Sequence, residues 1–342
     1  MKLFKNARLV DLETGEVCLT DILEEKGKIL EIGKNQTSNF GEEIVDLEGN
    51  YVLPSFVNSF SDSVSAFQKN YFKLKKKSQI DKVCDLFYAK NLLAGAIFSE
   101  DVAKNEICLI DKIEEKDEKT LSDLSLWVAK EKSVSFLKIG QDLESLGSID
   151  KEYGKSVSRV LEDFGFLDRR AVIVGGNCLE KDELELFRSY DCDFVLLPND
   201  DGKFGRRVVN LATLFSKDFN IALGSGDSSE IDFFAYMRQL IFGMRSLFED
   251  VDCINERQVL GIATNGSVLG VDDAIKVGED ATFIVVRARE SLYDDIFKTL
   301  VWEMSKRDVF MCVKNGEVLQ KNGEIFMKNA TTYDTMIRNL KQ

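Results

Sequence analysis

Asp62, Lys138, Gln141, Cys178, Asp200, Asp201, Asp227 and Glu230 stand at the ends of short apolar runs, where side chains with usable chemistry would face one mouth. Asp62 and Asp227 together could hold a hard cation with waters. They are a poor set for zinc, which takes fuller combinations of cysteine, histidine and carboxylate. Lys138 offers a competing arrangement: an ammonium in the same space pairs with both acids and fills the place of a cation. That ion pair outweighs a bound metal in this reading. A metal-free scheme stays open, with Cys178 as nucleophile, Lys138 as base or Schiff-base amine and Asp227 as orienting acid. Against it, a cysteine after Gly-Gly-Asn is ordinarily a small buried side chain, and a lysine beside aspartates is ordinarily half of a charge pair. The chain has no histidine. Histidine is the usual proton carrier near neutral pH, so every such scheme needs an acid, amine or thiol tuned far from its ordinary pKa.

Two glycine-containing segments invite an anion-binding reading. GSGDSS, 224–229, could present backbone N–H groups to an anion. Ser228 and Ser229 are better explained as N-caps of a helix from Glu230, and the segment is too loose for a P-loop. GGNC, 175–178, has a similarly weak claim.

The elements that must position these residues follow from the pattern of apolar runs. Residues 2–10, 17–24, 29–32 and 43–47 predict short strands joined by turns. Next comes YVLPSFVNSFSDS, 51–63, a buried strand that ends in a small polar cluster. For about 200 residues afterwards, helices alternate with near-continuous apolar strands, which predicts a parallel sheet covered on its outside. Strands are expected at 96–99, 107–110, 134–139, 171–174, 192–197 and 220–223. Helices are expected at 80–93, 121–130, 151–164, 181–188, 208–215, 233–248 and 256–269. Strands return in ATFIVV, 281–286, and at 307–314 and 324–326, so the two ends of the chain share one texture and predict one small β domain.

The chain has 342 residues, 44% of them hydrophobic, enough for one large core and a smaller one. A net charge of -14 and the lack of a basic stripe argue against a nucleic-acid or anionic-membrane partner. MKLFKNARLVD carries charge through its only apolar run, so no secretory signal is expected. No run is long and apolar enough for a membrane span. Seven scattered cysteines without a CxxC pair predict reduced thiols in a cytosolic protein. The lysine-rich 69–77 run is expected to be a solvated loop rather than a contact for an acidic partner.

VLPSFVNSFSDS resembles the first barrel strand of the metal-dependent amidohydrolases, in the branch of cytosine, guanine and adenosine-type deaminases and triazine chlorohydrolases. The likeness continues through FKNARLVD and DILEEKGKILEIG, then YGKSVSRVLEDFGFLDRRAVIVGGNCLE at 153–180, residues 193–199, IALGSGDSSEIDFFAYMR at 221–238, and ATNGSVLGVDDAIKVGEDATFIVV at 263–286. It implies a TIM-type (β/α) barrel with a small β-sandwich domain built from both chain ends. The expected parts are 1–52 and 271–342 for the sandwich and 53–270 for the barrel. The interval from Phe60 to Lys138 has room for only two intervening strands, so the barrel is expected to be eroded to about seven strands.

The resemblance also places the family's metal-binding and catalytic positions at Phe60, Asp62, Lys138, Gln141, Gly175, Cys178, Gly226 and Asp227, none of them histidine. Active relatives would use zinc or iron; here no cofactor is expected, with Asp62 and Asp227 the weak metal candidates. Phe60 would fill the metal cavity with apolar volume. The resulting expectation is a catalytically inactive, cytoplasmic amidohydrolase-like protein with a binding, scaffolding or regulatory role. Its partner would be a second copy, an active paralogue or a small molecule. Two alternatives stay open: a hydrolase acting on a nucleobase-like or nucleoside-like substrate through an altered metal site or none, and a small-molecule binder that retains the pocket.

Overall fold

The computed structural model describes residues 1–34, 43–70, 77–101, 108–111, 113, 116–131, 134–271, 274–326 and 335–338. Most of the lysine-rich 69–77 run lies outside them. Strands β1 (Lys2–Val10), β2 (Val17–Glu25), β3 (Lys28–Gly33), β4 (Glu43–Asp46) and β5 (Tyr51–Leu53) open the chain. The middle holds β6 (Phe56–Ser61), β7 (Ala96–Asp101), β8 (Cys108–Asp111), β9 (Ser135–Ile139), β10 (Ala171–Gly175), β11 (Asp193–Leu196) and β12 (Ile221–Leu223). The chain closes with β13 (Phe283–Val286), β14 (Val309–Lys314), β15 (Glu317–Lys321) and β16 (Glu324–Ile325).

Strands from both chain ends hydrogen-bond into one sheet in the order β16-β15-β14-β13-β5-β1-β2-β3, with β4 beside β1. Its seam is antiparallel, Leu53 opposite Ile284 and Tyr51 opposite Val286. The expected sandwich is therefore one continuous sheet. It curls until β3 meets the turn before β13, where Ile29 N donates to Glu279 O at 2.8 Å and Ala281 N to Gly27 O at 2.8 Å. Phe4, Ile22, Val52, Phe283, Val285 and Phe310 fill its inside. Hydrogen-bond continuity and the right-handed twist of strands, rather than stacking of two separate sheets, generate this shape.

Strands β8 to β12 form a parallel sheet, and β6 pairs with β7 in parallel. The two meet where Ser61 bridges Gly226, with Gly226 N donating to Phe60 O and Asp62 N to Gly226 O at 3.1 and 2.9 Å. Among the described residues no pairing joins β7 to β8. Alternation along the strands sorts the side chains. Phe60, Phe136, Val172, Val174, Val195 and Ala222 gather on the inside. Leu137, Ile173, Phe194 and Leu196 face the helices in the larger core.

The helix Phe233–Phe248 matches expectation. Asp232 Oδ1 accepts from Ala235 N at its start, and Phe233 and Phe234 pack their rings on Phe56 at 5.4 and 5.1 Å. Lys77–Leu93, Glu118–Glu131 and Lys181–Ser189 also lie where helices were expected, and the other helices depart from the sequence reading. The expected 151–164 helix is two, Leu143–Tyr153 and Val157–Asp163, because Gly154 takes the left-handed conformation that stops the first. The expected 208–215 helix is Leu211–Ser216, capped by Asn210. The 256–269 helix ends at Ala263 before a single 3-10 turn. A short helix, Pro198–Phe204, was not foreseen. Among the described residues no helix is long and apolar enough to cross a membrane.

Candidate functional site

The carboxyl ends of parallel strands are where such folds place their chemistry, and some of the sequence candidates meet there. Lys138, next to last in β9, shares the inward face with Phe136 two residues earlier. Its Nζ donates to Asp227 Oδ1 at 2.9 Å, and the two side chains are only 13% and 5% exposed. The ammonium also lies 5.9 Å from the centroid of the Phe60 ring. That ring is fully buried and packs on Phe136 at 5.4 Å. The mouth is thus an ion pair seated on an apolar floor.

Asp62 does not join it, contrary to the expectation that Lys138 would pair with both acids. The chain leaves β6 at Asp62, whose Oδ1 accepts from Ser65 N at 2.8 Å while its carbonyl accepts from Ala66 N. It caps the helix Ser63–Asn70, a role legible in the Asp-Ser-Val-Ser spacing. Ser228 and Ser229 do not cap a helix as expected. Asp232 does, and the Ser228 hydroxyl accepts from Asn199 Nδ2 at 2.6 Å and from Glu230 N. Glu230 turns outward to Lys306 at 3.4 Å.

Gly175 and Gly176 both have positive φ, and a Cβ on Gly175 would press to 2.8 Å from Gln141 Cγ. These glycines let the backbone turn beside Gln141, and no anion site is needed to explain them. Cys178 is buried, and among the described residues its thiol reaches only Gln141 O, at 3.9 Å. Burial pushes that thiol further from ionisation. A thiolate is the reactive species, so this environment disfavours the nucleophile reading.

Asp200 and Asp201 sit deeper than the sequence suggested, on the unforeseen helix Pro198–Phe204. Asp200 is fully buried, and its Oδ2 accepts from Asp227 N at 2.8 Å. The arrangement requires glycine at 226: its φ is +59° and a Cβ there would collide with Asp200 Oδ2. Burial, reinforced by the Asp227 charge, pushes the Asp200 carboxyl up to about 6. Asp201 Oδ2 accepts from Asn177 Nδ2 at 2.8 Å, its Oδ1 lies 4.0 Å from Arg206 Nη1, and burial pushes its carboxyl up to about 7.

No family model matches the chain. In sequence it is 25% identical over 180 residues to a 5-methylthioadenosine/S-adenosylhomocysteine deaminase of Bacillus cytotoxicus. That match covers 49% of this chain and 41% of the deaminase, so the chain spans about two fifths of the relative's length. In structure it superposes on a zinc-bound adenosine deaminase from Xanthomonas campestris with a TM-score of 0.88 at 12% identity, covering 100% of this chain and 97% of the other. An atrazine chlorohydrolase from Arthrobacter aurescens complexed with zinc gives 0.79 at 14% identity, covering 100% and 99%. The chain is a relative of the metal-dependent amidohydrolases. Over the described residues its fold is that of these solved structures.

Zinc is bound in those solved amidohydrolases, and the residues at this mouth do not fit it. Among the described residues no three histidine, cysteine or acidic side chains converge on one point. Asp227 is engaged by an ammonium, Asp62 by a helix start, and a phenyl ring fills the space beneath. What this amidohydrolase relative does offer is a set of buried polar atoms without hydrogen-bond partners: Asp200 Oδ1, Asp201 Oδ1, Asn177 Oδ1, Gln141 Nε2 and Arg206 Nη1. Asn177 and Arg206 were missed by sequence reasoning, and only the neighbouring Gly-Gly could have drawn attention to the first.

The raised carboxyls make stability depend on pH in an unusual direction. Asp201 ionises near the ordinary aspartate value of 3.8 when unfolded and near 7 when folded, so the folded state binds the extra proton between those values. Its stabilising contribution is complete below about pH 4 and is lost as pH rises towards 7. Asp201→Asn should remove that decline and leave the variant about 2–4 kcal/mol more stable relative to wild type at pH 8 than at pH 4. Urea midpoints across that range would test it, and parallel profiles for the two proteins would refute it.

Proposed function

We propose that this chain is an amidohydrolase-shaped binding or scaffolding protein that does not hydrolyse through a bound metal. The observation that supports this most directly is the buried Lys138–Asp227 pair over the Phe60 ring. A cation at that point would have to displace an ammonium already neutralising the best carboxylate, and no imidazole exists to replace it. Unpaired buried polar atoms around Asp200, Asp201 and Asn177 suit recognition of a small hydrogen-bonding molecule. Such a protein would work beside a second copy or an active relative. The free thiols of the described cysteines fit a reducing cytosol.

A second reading, hydrolysis of a nucleobase-like or nucleoside-like compound, draws on the activities named for the relatives. It also draws on Asp201, whose carboxyl titrates near neutrality as an acid–base group should. One experiment separates the two. The purified protein, equilibrated with zinc and desalted, is analysed for metal and assayed for ammonia release from 5-methylthioadenosine, S-adenosylhomocysteine and adenosine. Our reading expects no stoichiometric zinc and no turnover above the buffer blank. Stoichiometric zinc with turnover would replace it by a metal hydrolase, and turnover abolished by Asp201→Asn without zinc would replace it by a metal-free one.

A further inference from the structure

A groove of about 420 Å³ lies on the outer face of the curled sheet, between the β1–β2 strands and the 289–299 segment. Its lining includes Arg8, Val17, Leu19, Tyr293 and Asp294. The apolar part is unusually open to solvent: Leu19 is 54% exposed, Tyr293 41%, and Leu292 beside it 97%. Among the described residues neither the Arg8 guanidinium nor the Asp294 carboxylate has a hydrogen-bond or ion-pair partner. Nearby charges are otherwise used: Arg289 pairs with Asp308 at 3.0 Å, and Asp295 caps the helix Ile296–Lys298. An aromatic and aliphatic centre with an arginine at its edge has the composition of a contact surface rather than of ordinary solvated surface.

We propose that this face binds a second copy of the chain in a two-fold symmetric dimer. The groove presents one unpaired cation and one unpaired anion flanking a shared apolar centre. A two-fold axis through such a patch sets Arg8 of each copy opposite Asp294 of the other, satisfying both charges twice. A different partner would leave one sign unmatched unless it reproduced the same layout. In a chain of net charge -14, two copies repel at long range, so a face carrying a free cation is where they can meet. The dimer should therefore tighten with added salt until the local pairs themselves are screened.

Light scattering after gel filtration, with sedimentation over a micromolar concentration series, tests this on the full chain. Wild type should be a dimer. Arg8→Glu or Asp294→Arg should each weaken it by roughly 100-fold, because symmetry repeats the reversal and sets like charges together. Combined in one chain, R8E and D294R restore the complementarity and should restore the dimer. Both positions are exposed, and circular dichroism confirms that the variants fold. A monomer at every concentration would overturn the proposal, as would a dimer indifferent to either single reversal or a double variant no tighter than the singles.

Discussion

Lys138→Ala should cost about 3–5 kcal/mol at neutral pH, because it removes the ammonium 2.9 Å from the buried Asp227 carboxylate. The loss exceeds the worth of one ion pair, since what remains is a charge in low dielectric. The Asp227 backbone N–H is tied to Asp200, an acid whose carboxyl is already pushed up to about 6. The cost should shrink as pH falls through about 6 and Asp200 takes up a proton, since a neutral Asp200 no longer repels the Asp227 charge. A double variant, Lys138→Met with Asp227→Asn, should recover most of the stability, because a neutral pair carries no desolvated charge. Urea unfolding of the two variants at several pH values is the measurement. A Lys138→Ala protein as stable as wild type would mean that water reaches Asp227 freely, and the mouth would then be open to a cation after all.

Phe60→Ala is expected to be comparably severe, about 3–5 kcal/mol. The ring is fully buried, contacts Phe136, and closes the inside of the strand layer with Val172, Val174, Val195 and Ala222. Those walls belong to paired strands and relax little, so truncation leaves a void. Phe60→Leu keeps much of the volume and should cost about 1 kcal/mol. Thermal and urea unfolding of both variants would read the difference. A mild Phe60→Ala phenotype would indicate that the space beneath Lys138 is already loosely filled, against the apolar floor described above.

What the sequence disclosed was what local pattern encodes. Near-continuous apolar runs located the parallel strands, and the matching texture of the two ends forecast their shared sheet. The single lysine among strand-end acids forecast the pair with Asp227. The parts it withheld depend on backbone direction over one or two residues. Asp62 follows Phe60 at the spacing that would keep it inside, but the strand stops there and the carboxylate turns to a helix start. Pro198 reads as a strand terminator, yet proline also opens helices, and the turn it begins carries Asp200 and Asp201 into the core. Whether the small domain is two stacked sheets or one curled sheet depends on hydrogen bonds between residues more than two hundred positions apart, which no local pattern records.

That seam has a consequence for how the chain is made. Tyr51–Leu53 leaves the ribosome about 230 residues ahead of its neighbour Phe283–Val286. At ordinary elongation rates the first strand waits roughly 10–50 s for its mate. Throughout that interval it is an apolar strand with one bare edge, the kind of segment that recruits chaperones or pairs with the wrong neighbour. Nascent chains halted before Phe283 should therefore be the aggregation-prone species in synthesis, and translation of Phe283–Val286 is the step that covers that edge.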